Sequence, residues 1–223
     1  MKILALDTST EHCSIALSLN GEMISKEVLA GQQHSKLLLP MLHEMLTTNN
    51  LALSEFDGIA FGAGPGSFTG LRIACGIAQG LAFAAELSIV GISTLEALAQ
   101  RTDGNNVITA LDARMGEIYH AAYTRTADGW KTISEPIVCL PQNAPTLTGA
   151  NWVGSGSGFD IYRQELSLRY HHQLIDTQHD LYPHASEIAQ LALTKFTNES
   201  DSQLMNAAPI YIRNNVALKE NER

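Results

Sequence analysis

No two of the three cysteines are close in sequence. Cys13, Cys75 and Cys139 stand far apart, which excludes a C-x-x-C metal or redox motif and offers no even-numbered disulfide framework. A reduced, cytoplasmic compartment is the expectation. Basic residues are scarce as well: 14 Lys and Arg stand against 23 Asp and Glu, for a net charge of -9. Sequence-independent nucleic-acid binding needs a dense cationic surface to displace counterions, so any role on RNA would run through a more basic partner. No stretch approaches the roughly 20 apolar residues of a membrane span. Asp7 cuts the apolar opening before it reaches the length of a signal peptide. Among the eight histidines there is no H-E-x-x-H and no H-x-x-x-H. His34 and His43 fall on opposite faces of one helix, and His171, His172, His179 and His184 lie in a polar segment expected to be solvated loop. Gly154 to Gly158 is expected to be a flexible turn rather than a nucleophile elbow. A P-loop is excluded because no Gly-Lys-Ser/Thr occurs. No catalytic residue and no metal ligand is assigned.

What is present suffices for one large domain or two small lobes, with 223 residues of which 45% are hydrophobic. Strands are expected at 3–7, 13–19 and 22–29, the last two joined by the hairpin signal Asn20-Gly21. Residues 33–46 have the period of an amphipathic helix. A buried strand at 57–61, a helix at 67–86, a strand at 88–92 and a helix at 94–101 complete an α/β lobe over residues 1–106. A smaller second lobe over 107–196 has strands at 107–112, 117–126, 130–138 and 152–153 and helices at 159–168 and 186–196. Residues 197–223 form a C-terminal segment expected to pack back on the first lobe.

The densest signal lies at the strand-to-helix turn of residues 61–70. Gly62, Gly64 and Gly66 stand where backbone bends sharply or comes close to something, and Ser67 or Thr69 can cap the following helix. Such a turn either cradles an anion or packs tightly. The helix favours packing, because Gly70, Ala74 and Ala78 recur every fourth residue, with Gly76 and Gly80 on a neighbouring stripe, and small residues at that spacing admit a close neighbour. The excess apolar surface of the two long helices, Met41, Met45 and Phe68 above all, points to a protein partner. Asp7 and Asp112 each end an apolar strand. They are either turn residues or the phosphate-facing carboxylates of an actin-like ATPase, where they would be cofactor-binding.

Five blocks in order, residues 3–9, residues 33–40, Gly64-Pro-Gly-Ser-Phe-Thr-Gly-Leu-Arg72, Leu111-Asp-Ala-Arg-Met-Gly-Glu-Ile-Tyr119 and residues 209–214, resemble the TsaB (YeaZ) family over nearly the whole chain. The resemblance implies a bilobal actin-like ATPase fold (ASKHA, ribonuclease H-like). It also implies a role in making N6-threonylcarbamoyladenosine at position 37 of tRNAs that read codons beginning with A. In that pathway the paralogue TsaD transfers the group, TsaE completes the assembly, and TsaB-like chains are non-catalytic scaffolds that pair with TsaD through the N-lobe helices. Carried onto this sequence, the TsaD-binding surface comprises His34, Leu37, Leu38, Met41, Leu42, Met45, Phe68, Leu71, Arg72, Ala74, Cys75 and Ala78. A bulky residue at Ala74 or Ala78 is then expected to block the partner and spare the fold. The resemblance further implies no intrinsic cofactor, leaving ATP or ADP only an interface with partners, and tRNA contacted through the complex. A helix surface made for a paralogue of the same fold also accepts a copy of itself, so weak self-association is expected when TsaD is missing. The rival readings are an ATP-using phosphotransferase of the same fold and a glycoprotease-like metallopeptidase.

Overall fold

β1 (Lys2–Asp7) is buried from its second residue to its last, which only a central strand covered on both faces can be. The computed structural model, which describes residues 1–197 and 207–213, places it third in a five-stranded sheet. On one side β1 pairs antiparallel with β2 (His12–Leu19), and β2 pairs with β3 (Glu22–Leu29). Their connection is the Asn20-Gly21 turn with φ of 54° and 104°, the double left-handed geometry of a type I′ hairpin. On the other side lie two parallel strands, β4 (Gly58–Gly64) and β5 (Ser88–Ser93).

The second sheet repeats this plan. β6 (Asn106–Arg114) is central, with antiparallel β7 (Glu117–Thr126) and β8 (Gly129–Cys139) on one side and parallel β9 (Trp152–Ser155) and β10 (Leu174–Gln178) on the other. Two mixed five-stranded sheets of the same strand order, each carrying helices, make the bilobal actin-like fold that the sequence resemblance implies.

Side-chain alternation along β1 assigns the layers. Leu4 and Leu6 face α1 (His34–Thr48) and α2 (Phe68–Ala85), while Ile3 and Ala5 face α6 (Ala185–Thr197). α3 (Thr94–Arg101) joins the lobes: Ala97 packs into the core of the first sheet, and Leu95, Leu98 and Ala99 pack against Val107, Leu111 and Ala121 of the second. α4 (Ser157–Ile161) and α5 (Arg163–Arg169) cover the far face through Phe159 and Leu166.

Three details differ from the sequence reading. The helix expected at 159–168 breaks at Tyr162, whose φ of -110° and ψ of 41° are not helical. β10 escaped notice because it is a short edge strand with a register shift between Leu174 and Asp176. α6, assigned to the second lobe by chain order, lies on the first sheet, where Ala185, Ile188, Ala189 and Ala192 meet Ile3, Ala5, Ala16 and Ala60. Residues 207–213 run along α2, while 198–206 and 214–223 lie outside the described residues.

Candidate functional site

The glycine turn is closed by the chain itself. A side chain at Gly62 would collide with the Asp7 carboxylate, and one at Gly70 with the Thr8 carbonyl oxygen. One at Gly66 would stand 2.5 Å from the Ser9 carbonyl oxygen. The loop after β1 is thus pressed into the start of α2 and stitched there. Thr8 Oγ1 donates to the Gly70 carbonyl at 2.7 Å, the Ser67 amide donates to the Ser9 carbonyl at 2.7 Å, and Ser67 Oγ accepts from the Gly70 amide at 3.3 Å. With these two amides engaged and three glycines pressed against the end of β1 and the loop after it, the turn is tightly packed. The second lobe uses the same device: Gly156 and Gly158 press against Ala110 of β6 and Gly154 against Phe159. This segment is packed core and not the flexible turn expected.

The two helices above the turn separate cleanly into faces. His34, Leu38, Met41, Leu42 and Met45 of α1 are buried, as are Leu71, Ala74, Cys75 and Ala78 of α2. All of these belong to the chain's own core or its margin, so nine of the twelve side chains expected at a partner surface are turned inward. The reason is geometric: a helix seated on a sheet needs small residues where it comes closest, and Ala74 and Ala78 supply them. Of the expected set only Leu37, Phe68 and Arg72 reach the surface. The outward face of α2 presents Phe68, Arg72, Gly76, Gly80 and Phe83, and α1 adds Leu39; Phe68 and Phe83 are 52% and 77% exposed and Leu39 47%. Among the described residues, nothing lies within 4 Å of where a side chain at Gly76 or Gly80 would stand. The open small-residue stripe is therefore Gly76 and Gly80. A leucine at Ala74 or Ala78 overpacks the core and is expected to cost about 1–3 kcal/mol, read as a lower midpoint in urea unfolding.

By length and composition alone α2, with 18 residues, qualifies as a membrane span, against the sequence expectation that nothing here does. Its Gly70, Leu71, Ala74, Cys75, Ala78 and Ala82 face is nevertheless spent on the sheet of its own lobe.

The two strand-end carboxylates lie at or near the ends of the central strands of different sheets and are held differently. Asp7 is fully buried; its Oδ2 accepts from the amide and hydroxyl of Ser9 at 3.2 and 2.9 Å, while Oδ1 has no partner among the described residues. Burial, opposed only in part by those hydrogen bonds, pushes its carboxyl up to about 7. Asp112 belongs to the other sheet. Its Oδ1 accepts from the Arg114 amide at 2.9 Å and the Tyr162 hydroxyl at 3.2 Å, and Oδ2 pairs with Arg114 Nη1 at 3.1 Å. Asp112 thus has both carboxylate oxygens engaged, whereas Asp7 keeps one oxygen unpartnered among the described residues.

His184, expected in solvated loop, is buried. Its Nδ1 accepts from the Ser186 amide at 3.1 Å, capping α6, and Nε2 lies 3.5 Å from Glu27 Oε2, a carboxylate also approached by His12 Nδ1 at 2.7 Å and Arg101 Nη2 at 3.7 Å. Desolvation lowers the His184 pKa. Among the described residues no three His, Cys, Asp or Glu side chains are grouped to hold a metal ion. What the site offers is a shaped surface.

The family model described as TsaD, tRNA N6-adenosine threonylcarbamoyltransferase, matches residues 26–220. The chain is 38% identical over 229 residues to the tRNA threonylcarbamoyladenosine biosynthesis protein TsaB of Escherichia coli K12, covering 99% of this chain and 98% of that one. It belongs to the TsaB family. The TsaB of Haemophilus influenzae is likewise 38% identical over 234 residues, with 99% and 97% covered. The solved structure of YeaZ from Pseudomonas aeruginosa superposes with a TM-score of 0.86 at 35% identity, covering 94% of this chain and 99% of that one. In this TsaB-family chain the Gly64 to Arg72 block that marks the resemblance does two jobs. Its glycines join α2 to β1, and its Phe68 and Arg72 begin the exposed helix face. Leu39 and Phe83 belong to that face but were not singled out from sequence. A helical wheel anchored on the buried stripe would have found them.

Proposed function

We propose that this chain is the non-catalytic partner subunit for transfer of the threonylcarbamoyl group to adenosine 37 of tRNAs reading codons that begin with A. It acts in the cytoplasm by docking TsaD on the outer faces of α1 and α2 and, with TsaD, engaging TsaE. The observation that carries this reading is the open Gly76 and Gly80 stripe, set between exposed Phe68 and Phe83 on a helix whose inner face is already satisfied. A partner helix can approach such a stripe to backbone contact distance, and flanking aromatics supply anchors. With a net charge of -9, contact with tRNA falls to the partner. We place any ATP or ADP at the assembled interface, a reading supported by the buried Asp7 and the engaged Asp112, so titration of this chain alone with ATP and magnesium is expected to give no binding heat.

The test is Gly76→Phe and Gly80→Leu, which fill open space and so spare the fold. Both are expected to weaken co-purification with TsaD at least about tenfold, the effect of a clash worth roughly 1.4 kcal/mol, and to abolish transfer to tRNA in the reconstituted reaction. The same variants should dissolve the weak homodimer that this face forms when TsaD is missing. Full-strength capture of TsaD by both variants would remove the helix face from the interface.

A further inference from the structure

Residues 207–213 are held at both ends by different lobes. At the near end the Ala207 carbonyl accepts from Gln79 Nε2 at 2.8 Å and Cys75 Sγ at 3.6 Å, both on α2. In the middle the Ile210 amide donates to the Ala63 carbonyl of β4 at 2.7 Å, and the Ile210 carbonyl oxygen lies 2.7 Å from where a side chain at Gly64 would begin. Tyr211 rests on the start of α2. Its hydroxyl accepts from Arg72 Nε at 2.9 Å, its ring lies 5.5 Å from that of Phe68, and the Arg72 guanidinium stacks 3.7 Å above the Phe68 ring. At the far end Arg213 crosses to the second lobe, where Nη2 pairs with Glu117 and Nη1 lies 3.2 Å from Met115 Sδ.

The segment that Arg213 grips is the turn between β6 and β7. Arg114, Met115 and Gly116 have φ of 64°, 57° and 78° in succession, and two side-chain-bearing residues in the left-handed region persist only where their surroundings hold them. The turn also positions Asp112, through the Arg114 amide and guanidinium.

We propose that residues 207–213 are a latch coupling the outer edge of α2 to the β6–β7 turn of the second lobe. Displacing Tyr211 from Phe68 and Arg72 frees Arg213, and the strained turn then relaxes. Loosening the turn frees the strap from α2 in the same way, since coupling between two sites is reciprocal. The latch stands on intramolecular contacts and holds whatever docks on α2. Its consequence for a partner is direct: contact beside Arg72 is sensed at Asp112, on the other sheet.

The test reads each end while the other is cut, in the full chain. Tyr211 is half exposed and outside the core, so Tyr211→Ala keeps the fold. It is expected to raise amide hydrogen exchange at Met115 to Glu117 by about tenfold, within the usual range of coupling between sites, although Tyr211 does not touch that turn. In the reverse direction Glu117→Gln is expected to speed alkylation of Cys75, followed by peptide mass, because the strap carbonyl that covers its thiol departs. The latch is overturned if each substitution loosens only its own end, with turn exchange unchanged in the first variant and Cys75 labelling unchanged in the second.

Discussion

Gly70→Ala is expected to remove a large part of the folding stability of this chain, while Gly76→Ala, further along the same helix, leaves it intact or slightly raised. The contrast follows from what each methyl group meets. At position 70 it runs into the carbonyl oxygen of Thr8, which is backbone and cannot rotate aside. That loop is itself pinned to the helix, by Thr8 Oγ1 on the Gly70 carbonyl at 2.7 Å and the Ser67 amide on the Ser9 carbonyl at 2.7 Å. Relief requires the start of α2 to lift from β1, which strips Leu71, Ala74 and Cys75 from their contacts. Overpacking against backbone belongs at the upper end of its class, about 3 kcal/mol or more, out of a total that for a domain is roughly 5–15 kcal/mol. At position 76 the methyl meets nothing within 4 Å among the described residues, and alanine gains about 0.5–1 kcal/mol over glycine in a helix interior. Urea unfolding of the two variants beside the parent decides the matter. Equal stability of the parent and Gly70→Ala would mean that the glycine turn is not a packing device.

The second large effect is a gain. Asp7 keeps a carboxyl near pKa 7 in the folded chain against an ordinary value of 3.8, so between those limits the folded state holds a proton that the unfolded state has released. Stability therefore falls as pH rises from about 4 to about 7 and stays low above that. An asparagine side chain has the shape of the protonated acid and nothing to ionise. Asp7→Asn is thus expected to match the parent near pH 4 and to exceed it increasingly up to pH 8. At about 1.4 kcal/mol per unit of displaced pKa the difference reaches roughly 4 kcal/mol. Urea unfolding at pH values of about 4.5, 6 and 8, spanning the titration, measures it. A constant difference across that range, or a loss at the alkaline end, would show that the buried carboxylate is compensated. The result also bears on function, since a carboxylate needed for magnesium or phosphate would not be expendable.

Most of the first lobe was legible in the residues because its signals are local. Asn20-Gly21 enforces a type I′ turn, Ser67 caps its helix, and the apolar stripes of α1 and α2 have helical period. The second lobe was less legible where a signal depends on a neighbour. β10 is strand only because β9 offers it an edge, and Tyr162 breaks a helix that its sequence would continue. α6 is amphipathic in either lobe, and only packing assigns its small face to Ile3, Ala5 and Ala16 of the first sheet.

The sequence by itself determined the strand and helix order of the first lobe, the family, and the presence on one helix of two small-residue stripes with glycine at their heart. Tertiary structure alone decided which stripe is buried. Gly70, Ala74 and Ala78 lie under α2 and Gly76 and Gly80 lie open, because helical period places residues on faces without saying which face the sheet takes. It alone decided that Gly62 closes in on Asp7 and that Tyr162 reaches Asp112, contacts that add to the local ones from Ser9 and Arg114. Contacts across such separations are set by how layers stack, which no run of neighbouring residues encodes.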